Sequence, residues 1–249
     1  MAADVHGGHG AHGLVQHQFD DLAQQRESFS LGMWLFLATE VMMFGGLFFA
    51  YFLYRWLYPA AFIAGSAHMN IQLGFINTMI LLVSSWTVVM AVHAAVERKK
   101  KTLVTFLVIT WVLGALFLVI KGFEWGHDWD IGLIPGLNWT FYDNPANHHE
   151  LEALAAAGIG PHHVQMFFTI YFCMTGLHAI HMIIGLILVG TFIVLAARGT
   201  YTSGNDQPVE IMGLYWHLID IIWIFLFPLL YLIGHVTLAQ IFGGGGGGH

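Results

Sequence analysis

The 249-residue chain is 57% hydrophobic and only 9% charged, with a mean hydropathy of +0.68. A water-soluble domain of this length carries far more charge with which to cover itself, so the composition excludes that class and defines an integral membrane protein. The formal net charge of −7 argues against a nucleic-acid partner, and the one cysteine, Cys173, lies inside an apolar run, which excludes an intrachain disulfide and a cysteine metal site and leaves packing as its expected role.

Residues 1–28 read as a polar tail rich in glycine and histidine, with His6, His9, His12 and His17 among glycines that hold no fixed geometry. No basic segment there leads into an apolar run, so no cleaved leader is expected. Residues 29–242 form one membrane domain with five apolar segments, approximately 30–58, 70–96, 102–121, 164–197 and 210–241. At about 1.5 Å per helical residue each can cross the roughly 30 Å apolar core of a bilayer. Lipid offers backbone groups no partner, so all five are expected to be helices and the fold class all-α, a polytopic five-helix bundle. The fourth and fifth exceed the core thickness and are expected to tilt or project into water.

Basic residues set the orientation. Arg26, Arg98, Lys99, Lys100, Lys101 and Arg198 fall on one side, and Arg55 and Lys121 on the other. That imbalance predicts a cytoplasmic N-terminus and an outer C-terminus, which puts Trp56, Tyr58, Trp125 and Trp129 at the outer interface. The outer loop 123–163 is long for a compact bundle and holds His127, Asp128, Asp130, Asp143, His148, His149, His162 and His163 in no recognised ligand spacing. It reads as a docking surface or a metal-binding loop, with a short surface helix over 147–157. Residues 243–249, six glycines and a histidine, stand outside the fold.

Five ionisable residues stand deep inside the spans. Glu40 interrupts an otherwise uncharged run from Met33 to Phe52, at mid-membrane, where an ionised acid costs about 3 kcal/mol. A proton, a partner or a polar pocket must offset that cost. His178 and His181 in the fourth span and His217 and Asp220 in the fifth are each three apart, and so share a helix side. All five are expected at one depth, with Asn77, Ser84 and Ser85 of the second span as small polar groups for interhelical hydrogen bonds. Three readings stay open for them: hydrogen bonds that fix packing, a proton relay, and metal or haem ligation. Lys121 and Glu124 are expected to form a partly solvated i,i+3 ion pair worth roughly a few tenths of a kcal/mol.

Five motifs in this order resemble subunit III of the haem–copper terminal oxidases: WLFLATEVMMFGGLF (Trp34–Phe48), NTMILLVSSWT (Asn77–Thr87), KGFEW (Lys121–Trp125), TGLHAIHMIIG (Thr175–Gly185) and YWHLIDIIWIFLFPLLY (Tyr215–Tyr231). The resemblance covers Ser30 to Leu232 and is to the five-helix bacterial form, many members having seven helices. It implies a non-catalytic chain of a proton-translocating cytochrome c or quinol oxidase in a bacterial plasma membrane. Such a chain carries no haem or copper, which reside in partner subunits. It docks on subunit I beside subunits II and IV, binds phospholipid, supports proton uptake and limits turnover-linked inactivation.

On that resemblance Glu40 is the family's membrane acid, grouped with His178, His181, His217 and Asp220 as proton- or lipid-related residues. Trp34, Gly45, Gly46, Asn77, Ser84, Ser85, Lys121, Glu124, Trp125, Trp216 and Trp223 serve lipid or subunit packing. The loop 123–163 would face other respiratory complexes. Alternatives are an accessory subunit of nitric oxide reductase and a free-standing transporter. A transporter usually shows an internal repeat or helices broken at the midplane, and the sequence has neither. A b-type cytochrome would show a Soret band.

Overall fold

The computed structural model describes residues 21–140, 160–201 and 206–234, together with residues 19, 143, 152, 155 and 156. Helix α1 spans Leu22–Leu57 and opens with a side-chain cap, Asp21 accepting from the Gln24 amide at 2.7 Å. Residues 22–28, expected in the tail, are therefore helical: an Asp cap with Gln three residues on is a helix start, and the residues between are good helix formers. Pro59 ends α1 and supplies the first residue of α2 (Pro59–Ala67), a short helix where the sequence suggested only a connection.

Asn70 caps α3 (Ile71–Val96), its side-chain oxygen accepting from the amides of Gln72 and Leu73. Helix α4 runs Lys100–Asp130, nine residues beyond the expected end of that span, so the outer loop is shorter than 123–163. The extension holds because Lys121, Glu124 and Asp128 recur at helical spacing and are all buried. A two-stranded antiparallel hairpin follows, β1 (Leu133–Ile134) with β2 (Asn138–Trp139), and Trp139 packs edge-on against Phe168. The expected helix over 147–157 lies mostly outside the described residues.

Helix α5 spans Pro161–Arg198, and α6 spans Gln207–Phe227 before a wider π turn at Pro228–Leu232. Proline lacks the amide that would continue the α ladder. Within the turn the Leu229 carbonyl accepts from the Tyr51 hydroxyl of α1. The fifth span was expected to reach 241; its described part ends at Gly234, whose amide donates to Ser66 Oγ of α2 at 2.6 Å.

Among the described residues, helices α1, α3, α4, α5 and α6 are the five long and apolar enough to cross a membrane. Four of them pack closely, α3 on α4 and α6, and α5 on α4 and α6. Helix α1 stands at the edge against α2, α5 and α6, with only 11% of its apolar window buried against 56% for α6. The core is aromatic, with Trp216, Trp223, Tyr51, Tyr171 and Tyr231 fully enclosed. Cys173 faces outward on α5.

Candidate functional site: an acid–histidine pair and a sealed ion-pair network

Helix α1 brings Glu40 to His181 of α5, with His181 Nε2 3.0 Å from Glu40 Oε2. Both side chains are almost covered, at 12% and 13% exposure, and the contact lies outside hydrogen-bond alignment. His181 Nδ1 is 2.7 Å from the Leu177 carbonyl oxygen. A carbonyl only accepts, so Nδ1 carries a hydrogen, and a neutral His181 presents a bare Nε2 to the acid. One proton placed between Oε2 and Nε2 makes the pair either carboxylic acid with imidazole or carboxylate with imidazolium. With one shared proton the pair would carry no net charge in either form, which is what an acid inside an apolar span requires. Phe44 packs edge-on against His181, and the Tyr215 hydroxyl donates to its carbonyl.

The pair sits at the inner wall of an open apolar groove of about 560 Å³ between α1, α5 and α6, whose other walls include Phe29, Phe36, Phe192 and Met212. That is a shape for an apolar chain with one polar corner.

The other expected members go elsewhere. His178 turns into the interior between Phe117 and Trp223, with ring centroids 5.5 and 5.1 Å away and neither nitrogen hydrogen-bonded. Positions three apart differ by about 60° around a helix, enough to send His178 and His181 to different neighbours. His217 does not pair with Asp220: its Nδ1 meets Ser85 Oγ of α3 at 2.8 Å. Asp220 is 2% exposed and also faces Ser85, with neither carboxyl oxygen in hydrogen-bond alignment. The residues expected at one depth thus meet several separate sets of partners.

Indole nitrogens stitch α6 to α3. Trp216 Nε1 donates to Ser84 Oγ at 2.9 Å and Trp223 Nε1 to Thr78 Oγ1 at 3.2 Å. Trp216 fits because both facing helices are glycine there: a Cβ at Gly114 would lie 2.6 Å from its ring, and one at Gly185 3.1 Å. Asn77 is fully buried with its amide atoms unbonded, and Trp125 packs on Phe172. Trp34, Gly45 and Gly46 face outward, where an added Cβ at either glycine meets nothing within 4 Å.

The sequence reading errs most at the outer end of α4. Lys121 and Glu124 do form an ion pair, at 3.1 Å, yet they are 3% and 5% exposed rather than partly solvated. Two tyrosines seal them. Lys121 Nζ donates to Tyr171 at 3.2 Å and to Tyr231 at 2.6 Å, and both hydroxyls donate to Glu124 Oε1. Nζ also lies over the Trp223 ring, 5.2 Å from its centroid. Tyrosines on two other helices leave no spacing signal, so the network is invisible before the fold is known.

Of the loop residues weighed for metal, His127 is exposed, Asp128 is buried, and His163 stacks on Tyr58 with centroids 3.9 Å apart. His148 and His149 lie outside the described residues, and among the described residues no three His, Cys, Asp or Glu side chains converge on a metal-sized site.

Five membrane-length helices around buried aromatic and polar contacts define an all-α, multi-pass membrane protein. The family model for cytochrome c oxidase subunit III matches residues 15–129 and 162–235. The chain is 30% identical over 238 residues to the probable cytochrome c oxidase subunit 3 of Rickettsia bellii, covering 89% of this chain and 74% of that protein. It is also 30% identical over 205 residues to the quinol oxidase subunit 3 of Bacillus subtilis, covering 82% and 86%. The chain belongs to the cytochrome c oxidase subunit III family, and is a subunit of a respiratory oxidase.

Proposed function

We propose that this chain is the non-catalytic third subunit of a proton-translocating haem–copper oxidase in a bacterial plasma membrane. It docks on subunit I and holds no redox centre. The Glu40–His181 pair at the wall of the open groove carries this reading. An acid and a base that share one proton at mid-membrane can hold or pass that proton without adding net charge to the bilayer. The groove beside them suits a phospholipid acyl chain, and a lipid there would keep water from the pair. His178 supports a packing role for the interior histidines, because its ring lies between Phe117 and Trp223. Haem and copper belong to the partner subunits, where oxygen is reduced to water.

The test is made on the whole oxidase, purified in mild detergent, with Glu40→Gln and His181→Phe. An apolar carbodiimide needs a protonated carboxyl and an apolar route, and the groove supplies the route. Mass spectrometry is expected to place the label on Glu40 and to find none in Glu40→Gln. Both variants are expected to keep full haem and copper content and most of the initial oxygen-reduction rate, while losing activity sooner during turnover. Stoichiometric loss of haem from an assembled His181→Phe complex would overturn the reading.

A further inference from the structure

A second cavity, of about 780 Å³, opens at the end of the bundle where α3 begins and α4 ends. Its lining includes Glu124, Asp128, His68, His127, Gln72 and Phe123. It is far more polar than the groove at Glu40. Three observations bear on what it takes.

The first is charge. The buried cluster at its floor holds one cation, Lys121, and two carboxylates, Glu124 and Asp128, at 3%, 5% and 4% exposure. Buried charges need compensation, and among the described residues this set, with both acids ionised, falls one positive charge short. The other titratable groups beside it, among the described residues, are Tyr171 of α5, Tyr231 of the π turn, His68 at the end of α2 and the exposed His127 of α4 itself. Lys121 and both tyrosines are already spent on Glu124.

The second is an acceptor. Asp128 Oδ2 is buried and unbonded, and Asp128 lines the cavity.

The third is the pair of helix ends. The negative end of the 31-residue α4 dipole and the positive end of the 26-residue α3 dipole meet at this cavity. A zwitterion fits that field, with its cation toward Asp128 and its anion toward the exposed side-chain amide of Gln72 at the start of α3, the backbone amides of Gln72 and Leu73 being taken by Asn70 Oδ1. Below the opening, exposed Phe75, Val119 and Phe123 continue along the outer faces of α3 and α4, a track for acyl chains.

We propose that this cavity binds a phosphoethanolamine lipid head group, with Asp128 accepting from its ammonium. The inference rests on the membrane setting of the bundle and not on the role of Glu40. The site lies at the end of α3 and α4, apart from the groove between α1, α5 and α6.

The experiment uses the intact oxidase complex. Lipid is stripped with detergent, the complex is returned to mixed micelles of dioleoyl phosphatidylethanolamine or dioleoyl phosphatidylglycerol, and bound lipid is counted by native mass spectrometry. The wild type is expected to regain one phosphatidylethanolamine that Asp128→Asn does not. Affinity should fall about tenfold to a hundredfold on loss of one charge-assisted hydrogen bond. Phosphatidylglycerol, which lacks the ammonium, is expected not to refill the site, and Asp128→Glu is expected to restore binding. Unchanged haem content and thermal midpoint in Asp128→Asn confirm that the fold is intact. Equal retention of phosphatidylethanolamine by wild type and Asp128→Asn overturns the proposal, as does equal refilling by phosphatidylglycerol. Uptake of free ethanolamine in place of either lipid assigns the cavity to a soluble amine and overturns it too.

Discussion

At the scale of single residues, Lys121 and Glu124 show how burial changes the worth of an ion pair. An exposed i,i+3 pair contributes little, whereas removing one partner of a buried pair strands the other charge at a cost of about 3–5 kcal/mol. Lys121→Met leaves Glu124 with two tyrosine donors and no cation, and Glu124→Gln leaves Lys121 with tyrosines and no anion. Each single variant is expected to destabilise the assembled subunit by about 3–5 kcal/mol, read as a fall in its thermal midpoint. The double variant Lys121→Met/Glu124→Leu removes both charges and is expected to cost much less than the sum of the singles. Additive losses would mean that the pair is not electrostatically coupled. The same contrast marks what was legible beforehand. Glu40 announced a need for a partner, and an in-span histidine on another helix answered it. Which histidine answered, and that Lys121 was sealed, depended on Tyr171 and Tyr231 meeting α4, which only the packing reveals.

At the scale of elements, the spans were legible because lipid forces long unbroken apolar helices, and their ends were not. The start of α1 was missed by eight residues although Asp21 and Gln24 mark it, since the hydropathy signal begins only with the apolar run. The turn from α3 to α4 is a tight one. Arg98 takes a left-handed φ of 58°, with its amide on the Ala95 carbonyl and the Lys99 amide on that of Ala94. The same pair of bonds ends α5, where glycine stands at the left-handed position, Gly199 at 91°. Arginine is strained there and glycine is not, so Arg98→Gly is expected to stabilise the hairpin by about 1 kcal/mol. A lowered thermal midpoint would contradict this.

Beside the turn, a hydrogen bond from Lys99, with Nζ 2.8 Å from Glu97 Oε2, holds the Glu97 carboxyl below the usual glutamate range. A lowered value means that this contact favours the fold at and above the ordinary glutamate range and is lost only as pH falls through the lowered value. Carboxyl-labelled NMR of Glu97 is expected to show that early ionisation, and Lys99→Ala to return the midpoint toward that of a free glutamate.

At the scale of the whole molecule, α1 is the span least covered by the described residues. Its apolar window is 11% buried, and Trp34, Met42, Phe49 and Trp56 are exposed at 66%, 78%, 69% and 80%. In lipid such a face carries no hydrophobic penalty, so exposure alone does not demand a protein partner. Gly45 and Gly46 separate the two cases. Adjacent glycines inside a helix lower its propensity by roughly 1 kcal/mol each, and among the described residues neither is needed for packing, since an added Cβ meets nothing within 4 Å. Small residues of this kind let a neighbouring helix approach closely and gain dispersion contacts over its length. On this argument the glycine face of α1 is expected to seat another subunit. Gly45→Leu/Gly46→Leu is expected to leave the five-helix bundle folded, and even to raise its intrinsic helicity, while weakening retention of this subunit. The measurement is co-purification across a series of increasingly harsh detergents, with circular dichroism of the released subunit as the control for folding. Full retention in every detergent would place the glycines against lipid and move the docking face to another helix.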